Sequence, residues 1–391
     1  MAEKTSYLCS YKKCNKKETI TRGGCRVEIK SFEPAQTGLK DKDALVKWGD
    51  AGDAILHEEC WRSLVAQSKA AASHASAPNT MTQTEVAMVT EAKKTAEYFD
   101  SEEKVKSEAK RVAHMLRGSS HCIAFTGAGI STSAGIGDFR GKSGKWTEMD
   151  RAKVTGKGAK SKGGFRYSDL RPTYTHEALV KLMKMGILKY VISQNTDGLH
   201  RLSGIPRDGI SELHGNAFHE KCEDCGTRYE RPSASRLAGG VPKACEHCRI
   251  NHRTGRMCER KGCQGYLMNT IINFGDNLES HVLSKAVEHA EKNDLVLCLG
   301  TTLMVSPANS LVEMGKKPVR LVICNRQPTP MDALCYEPDV ANGSQVGSRV
   351  FGDCDHLMRE VMRCILPQDA LQEWEDGRED RMEEYNKQRE C

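Results

Sequence analysis

No stretch of this 391-residue chain approaches the ~18 consecutive apolar residues that a membrane-spanning helix needs, so a helical membrane protein is not expected. The opening MAEKTSYLCSYKKCNKK lacks the apolar core of a secretory signal, which predicts a chain that is not exported. No segment repeats along the sequence. The excess of positive over negative charge is small, at +6, although its distribution is uneven. KKCNKK near the start and RAKVTGKGAKSKGGFR (151–166) are basic, whereas the end, QEWEDGREDRMEEYNKQRE, is rich in both signs. Such blocks serve either as solvated surface or as contacts to nucleic acid and acidic proteins. The chain is polar, with a mean hydropathy of −0.56, yet long enough for a sizeable core and for two or more units. Cysteine is plentiful, at 17 residues. In a chain that stays in a reducing compartment, clustered cysteines point to metal rather than to disulfides.

Cys9, Cys14, Cys25, His57 and Cys60 fall in the first seventy residues, before a small-residue, polar tract around Pro78. That order predicts an N-terminal zinc-finger-like domain over 1–67 and a linker over 68–88. Beyond them, three- and four-residue spacing of Val105, Ala109, Val112 and Leu116 predicts a helix from about Glu85 to Leu116. HEALVKLMKMG (176–186) reads as a second helix ending at glycine. Short, nearly unbroken apolar runs occur at His121–Phe125, in KYVISQN (189–195), in DLVLCLG (294–300) and in VRLVICN (319–325). Runs of that kind suit strands covered on both faces, and their alternation with helices predicts a parallel, doubly wound sheet. Between about Cys222 and Cys263 the alternation gives way to a cysteine-rich insertion.

In a parallel α/β sheet, ligands bind beyond the carboxyl edge. The first strand runs into Gly127-Ala128-Gly129-Ile130-Ser131-Thr132, where glycines would let the backbone approach phosphate oxygens. Thr132 stands where a third glycine is usual, so the turn alone is weak support for a nucleotide. Further strands end in Ser193-Gln194-Asn195-Thr196-Asp197-Gly198, in Gly300-Thr301-Thr302 and in Asn325-Arg326. Four ends carrying small or amide-bearing polar groups on one edge favour a nucleotide over simple turn chemistry.

GAGISTSAGIGDFRG (127–141), SQNTDGLH (193–200), ELHGN (212–216) and the later LGTT together resemble the sirtuins, and the resemblance extends from about residue 100 to 365. GKWT (144–147), RPTYTHEAL (171–179) and TGRMC (254–258) are most similar to the class IV branch, which includes nuclear chromatin deacylases. The resemblance implies a Rossmann-like catalytic domain (89–366) with an inserted small zinc-binding domain at about 219–268, followed by a charged tail at 367–391. It also implies NAD as a consumed co-substrate and an acyl-lysine protein, histone-like or otherwise, as the partner. In that chemistry the acyl oxygen attacks C1′ of the nicotinamide ribose and nicotinamide leaves. His214 then takes a proton from a ribose hydroxyl, and water finally yields free lysine and O-acyl-ADP-ribose.

By the same resemblance, Asn195 holds ribose or an ordered water, Asp197 the nicotinamide amide, and Gln194 the ribose. Asp138, Phe139 and Arg140 form a cofactor loop in which Phe139 shields the reactive carbon from water, and Trp146 closes the pocket. Ser131, Thr301 and Thr302 reach phosphates or ribose and Asn325 the adenosine ribose, while Gly127, Ala128, Gly129, Gly300, Arg326 and Cys354 complete the cofactor-binding set. Gly137 occupies a position where the family usually has proline, which predicts a looser cofactor loop. Transfer of ADP-ribose to a protein, and a non-catalytic NAD or ADP-ribose reader, are the alternatives built on the same pocket.

Cys222-x-x-Cys225 is followed by two further pairs, Cys245/Cys248 and Cys258/Cys263. Short cysteine knuckles supply tetrahedral zinc with little chain strain. Spacing alone favours Cys245/Cys248 as the second pair. The family phrase TGRMC favours Cys258/Cys263, and that pair is adopted. The remaining cysteines are then free thiols or members of a second site. Cys9, Cys14, His57 and Cys60, with CRVEIK and HEECW around them, resemble the zinc fingers of poly(ADP-ribose) polymerases, which read DNA breaks; Cys25 is the alternative ligand. The combined expectation is a nuclear enzyme without a membrane anchor, carrying two zinc sites and contacting DNA or protein through its finger.

Overall fold

The computed structural model describes residues 6–7, 9–12, 14, 20–21, 26–29, 54–57, 60, 96–135, 169–234, 241–338 and 345–390. Its centre is a six-stranded sheet. The strands are β1 (Cys122–Thr126), β2 (Leu188–Ser193), β3 (Ile210–Glu212), β4 (Leu295–Leu299), β5 (Leu321–Cys324) and β6 (Ser348–Val350). Across the sheet they run 3-2-1-4-5-6, and every neighbouring pair is parallel. This is the dinucleotide-binding order, with its switch point between β1 and β4.

The four apolar runs form strands because both faces are covered. On one face Cys122, Ala124, Val191, Leu297 and Val322 pack with α1 (Glu102–Arg117), α2 (Tyr174–Lys184) and, further along, α5 (Cys354–Ile365). On the other face Ile123, Phe125, Ile192, Val296 and Ile323 meet α4 (Ser280–Lys292) and the 308–313 turn. A short helix, α3 (Leu199–Leu202), follows β2. Each fully buried aliphatic or aromatic side chain contributes ~1.5–3 kcal/mol, so the two faces together hold the sheet.

The helix expected from Glu85 begins instead at Glu102. Ser101 caps it, its hydroxyl accepting from Lys104 N at 3.2 Å, with Glu102 and Glu103 in the first turn. Glu97–Phe99 is a strand that pairs antiparallel with Arg26–Ile29, which in turn pairs with Ala54–His57. The sheet of the N-terminal unit is thus completed by a strand that directly precedes α1. The C-terminal residues, expected as a charged tail, form α6 (Gln368–Asp376) and α7 (Arg378–Glu390). Trp374 packs edge-on against Tyr174, Tyr385 is buried, and Arg378 and Arg381 pair with the buried Glu177 of α2.

Beneath the sheet edge lie two buried imidazoles, His176 and His200, with ring centroids 4.8 Å apart. Thr126 Oγ1 lies 2.9 Å from His200 Nε2, and Thr173 N donates to His176 Nδ1 at 3.3 Å. Burial pushes His176 down to about 3 and holds His200 well below its ordinary value. A depressed folded value means that the unfolded chain binds the proton first. Their contribution to stability is therefore complete above about pH 6.5 and is lost as pH falls toward 3. The thermal midpoint is expected to drop across that window, and His176→Asn should flatten the drop; an equally steep profile in the variant would remove His176 as a cause.

Candidate active site and metal centres

The chain turns at β1 and β4 interlock at the switch point. A Cβ on Gly127 would meet Gly300 O at 2.7 Å, and one on Gly129 would meet Gly300 Cα at 2.6 Å. The glycines therefore serve first to let two loops touch, with Gly129 N donating to Gly300 O at 2.8 Å. Ala128 beside them is half-buried.

From this turn, Ser131 Oγ donates to Asp197 Oδ2 at 2.8 Å, and Asn195 Nδ2 donates to Gly127 O at 3.1 Å. Ser131, Asn195 and Asp197 are all buried. Burial raises the Asp197 carboxyl, against the opposing pull of the Leu199 N–H and the Ser131 hydroxyl. Gln194 Oε1 accepts from Thr301 Oγ1 at 3.4 Å, while its buried Nε2 has no partner among the described residues. Thr302 follows, half-buried.

His214 lies on the turn after β3, and its Nδ1 is 3.0 Å from Gln194 O. A carbonyl only accepts, so Nδ1 carries the proton and Nε2 keeps the lone pair in the neutral ring. Burial lowers the His214 pKa, partly opposed by that hydrogen bond. Gly215, at φ 79°, is required here, because a Cβ would collide with Thr270 O. Ile272 N donates to His214 O at 3.0 Å, which ties the turn to the segment leaving strand Tyr266–Asn269 of the inserted module.

Along the same edge, a shallow pocket is lined by Gly129, Gly300, Asn325, Arg326 and Cys354, among others. Thr132, Gln327, Gly352 and Asp353 also line it and were not foreseen from sequence. Arg326 is engaged by Asp353 at 2.5 Å and by Glu97 at 3.6 Å, so its charge is already matched. Cys354 Sγ donates to Cys324 O at 3.4 Å at the start of α5. Asp138, Phe139, Arg140 and Trp146, with Gly137, lie outside the described residues.

Two charged groups missed by sequence reasoning also bear on the site. Arg349, fully buried, pairs with Asp332 at 2.6 Å and donates to Asn325 O at 3.1 Å and Gln327 O at 2.8 Å. It clamps the loop that carries Asn325. Arg349→Met removes the partner of the Asp332 carboxylate, which keeps its bonds from Thr329, and leaves the Asn325 and Gln327 carbonyls without their donor; it is expected to cost about 1–3 kcal/mol, read as a lower midpoint in urea. A loss below 1 kcal/mol would show that the clamp is dispensable. Arg389 of α7 stacks over the Phe218 ring at 3.5 Å, and burial lowers its guanidinium to about 10.

In the inserted module, Cys222, Cys225, Cys258 and Cys263 meet, with Sγ–Sγ distances of 3.5 Å (Cys222–Cys263) and 3.6 Å (Cys225–Cys258). The pairing favoured by spacing alone is not assembled, since Cys245 and Cys248 lie in a different cluster. In the N-terminal unit, Cys9, Cys14, His57 and Cys60 converge, with Cys14 Sγ 3.5 Å from His57 Nδ1 and 3.6 Å from Cys60 Sγ. Cys25 lies outside the described residues.

The Sir2 family profile matches residues 127–307. The NAD-dependent protein deacetylase SRT1 of Arabidopsis thaliana is 40% identical over 238 residues, which is 61% of this chain and 47% of that protein. The NAD-dependent protein deacetylase Sirt6 of Drosophila melanogaster is 39% identical, covering 60% of this chain and 72% of that one. An NAD-dependent protein deacetylase of Sulfurisphaera tokodaii is 35% identical, over 58% and 88% respectively. The chain spans about half the length of the SRT1 proteins it matches. A solved Sir2 homologue in complex with ADP ribose aligns at 24% identity over 67% of this chain and 97% of that one, with a TM-score of 0.49.

Proposed function

Because the chain belongs to the Sir2 family, we propose that it is an NAD-dependent protein-lysine deacylase, yielding nicotinamide and O-acyl-ADP-ribose. The observation that carries this reading is the convergence of the 127–131 turn, Asn195, Asp197 and His214 on one sheet edge. The donor set suits a dinucleotide: a glycine turn at the switch point, hydroxyls and amides at the strand ends, and a buried Gln194 amide whose N–H groups meet no acceptor among the described residues. Gly127, Gly129, Ser131, Gly300, Thr301, Asn325 and Arg326 would hold NAD, with Thr302 and Cys354 beside them. Bound NAD supplies an electrophilic ribose carbon once nicotinamide departs.

His214 acts at Nε2, accepting the proton of a ribose hydroxyl, while the Gln194 carbonyl fixes the ring and stabilises the imidazolium that results. Asn195 orients ribose or water, and the Asp197 carboxyl, oriented by Ser131, meets the carboxamide. Phe139 and Trp146 exclude water from the reacting carbon. Zinc on Cys222, Cys225, Cys258 and Cys263 is structural, since four thiolates leave no open position. A further zinc on Cys9, Cys14, His57 and Cys60 holds the finger. Relatives named as protein deacetylases support the lysine substrate. A chromatin protein, a nuclear location and DNA contact through the finger complete the reading.

The test incubates the full chain with NAD and peptides bearing acetyl- or long-chain-acyl-lysine. Nicotinamide release that depends on the acyl peptide and matches O-acyl-ADP-ribose in amount is expected. ADP-ribose appearing on a protein side chain instead would make the chain a mono-ADP-ribosyltransferase. NAD binding without turnover would make it a reader. For the finger, salt-sensitive DNA affinity lost in Cys14→Ala is expected; affinity unaffected by the substitution would leave it a protein-docking module.

A further inference from the structure

The inserted module brings together a second group of soft ligands that the deacylase reading does not use. The ligand atoms of Cys245, Cys248, His252 and Asp276 lie within 4.8 Å of one another. We propose that these four residues bind a second structural zinc ion within the module, separate from the four-cysteine centre.

The separations suit one ion. Zinc bonds of ~2.3 Å to sulfur and ~2.0–2.1 Å to nitrogen or oxygen place tetrahedral ligands roughly 3.3–3.8 Å apart. Cys248 Sγ is 3.2 Å from His252 Nε2, Cys245 Sγ is 3.2 Å from Asp276 Oδ1, and His252 Nε2 is 3.4 Å from Asp276 Oδ2. The His252–Asp276 edge lies within that range and the two cysteine edges fall about 0.1 Å short of it, while the thiol pairs of the four-cysteine centre, at 3.5 and 3.6 Å, lie within it. Two sulfurs, one imidazole and one carboxylate favour zinc over calcium or magnesium, which take oxygen ligands. Four protein ligands again close the coordination shell.

The supporting contacts orient the ligands. His252 Nδ1 lies 3.2 Å from Asn269 Oδ1, and that oxygen also accepts from Ile271 N at 3.1 Å. An oxygen in that position takes the Nδ1 proton, which turns the lone pair of Nε2 toward the sulfurs. Asn269 Nδ2 donates back to His252 O at 3.1 Å. Asp276 Oδ2 accepts from Asn273 N at 2.9 Å, and the carboxylate is only 8% exposed.

The backbone of Cys245–Arg249 repeats the knuckle of the four-cysteine centre. Arg249 N donates to Cys245 O at 3.1 Å with φ 64°, and Gly226 N donates to Cys222 O at 3.1 Å with φ 70°. In both, Cys-x-x-Cys is followed by a left-handed residue. Glycine fills that place in one knuckle, but an arginine adopts it in the other, a conformation that persists where the surroundings impose it. Asp276 comes from the segment that follows strand Tyr266–Asn269, and Ile272 in that segment donates to His214 O. The ion would therefore pin the loop that backs His214.

Elemental analysis of the full chain tests the proposal. The double variant Cys245→Ser, Cys248→Ser is expected to hold one zinc fewer per chain than the parent, with its circular dichroism retained. Equal zinc content in the two overturns the proposal. Should the double variant lose its fold, cobalt-loaded parent chain is compared with Asp276→Asn and His252→Ala. Loss of one cobalt per chain, or a changed ligand-field band, supports the site; unchanged cobalt content and spectrum in both single variants overturns it.

Discussion

His214→Ala is expected to lower acyl-peptide-dependent nicotinamide release by about 10²–10⁴-fold, the contribution of a positioned general base. The ring is held by one hydrogen bond from Nδ1 to Gln194 O at 3.0 Å, so alanine removes the proton acceptor while leaving the backbone contacts of residue 214 in place. Those contacts, Ile272 N to His214 O and the close approach of Gly215 to Thr270, do not involve the side chain. NAD-induced thermal stabilisation should therefore survive the substitution even as turnover falls. Burial depresses the His214 pKa, so the imidazole is neutral and ready to accept a proton at pH 7. Its protonation below the ordinary histidine range should shut turnover off on the acid side, and the alanine variant should lack that limb. Release equal to the parent's, with an unaltered acid limb, would take His214 out of the reaction.

Cys222→Ser is expected to have the next largest effect, and through the fold rather than the chemistry. Cys222 ends strand His219–Cys222, which pairs with Tyr266–Asn269 and Arg228–Glu230. Buried Leu267 and the two buried cysteines, Cys222 and Cys258, make up nearly the whole apolar centre of that sheet. So small a core cannot hold by burial alone, and a metal supplies the remainder; structural zinc contributes ~10–16 kcal/mol in isolated fingers. Removing one thiolate should release the ion, lower the thermal midpoint steeply and abolish turnover, because the segment leaving strand Tyr266–Asn269 of the module makes the Thr270 and Ile272 contacts to the His214 turn. Addition of a strong chelator to the parent should reproduce the loss. A variant that keeps its zinc and its midpoint would show that the four thiols are not a metal site.

The parts of this architecture legible from sequence share a physical origin. β1, β4 and β5 are buried throughout and β2 at every position but Lys189, so each writes itself as a nearly unbroken apolar run. Their ends bring the glycine turn, Asn195, Asp197 and Thr301 to one edge, because a parallel sheet places all carboxyl ends together. Edge strands β3 and β6 span only three residues, too few to show a period. Glu97–Phe99 falls inside the helical spacing that begins at Glu85, and its strand character comes from pairing with Arg26–Ile29, some seventy positions earlier, which local spacing does not report. Arg349 carries no pattern at all: a buried charge is defined by Asp332 and by the carbonyls of Asn325 and Gln327. α7 is almost uniformly polar, and its docking rests on Tyr385, Arg381 and Arg389, none of which stands out in a charged run.

The resolution of the cysteine pairs shows where resemblance and spacing diverge. A regular C-x-x-C spacing recommended Cys245 and Cys248, yet antiparallel pairing of Arg253–Met257 with Tyr266–Asn269 carries Cys258 and Cys263 to Cys222 and Cys225 instead. His252 and Asp276 then close around the pair left over, and Asp276, from beyond that sheet, could not have been assigned by counting.

A crystal structure of the full chain with NAD and an acetyl-lysine peptide tests the central claim most directly. The pyrophosphate should lie against 127–131, with the nicotinamide carboxamide at Asp197. The nicotinamide ribose hydroxyls should come within hydrogen-bonding distance of His214 Nε2. A dinucleotide bound elsewhere, or one whose reactive ribose faces away from that imidazole, would contradict it.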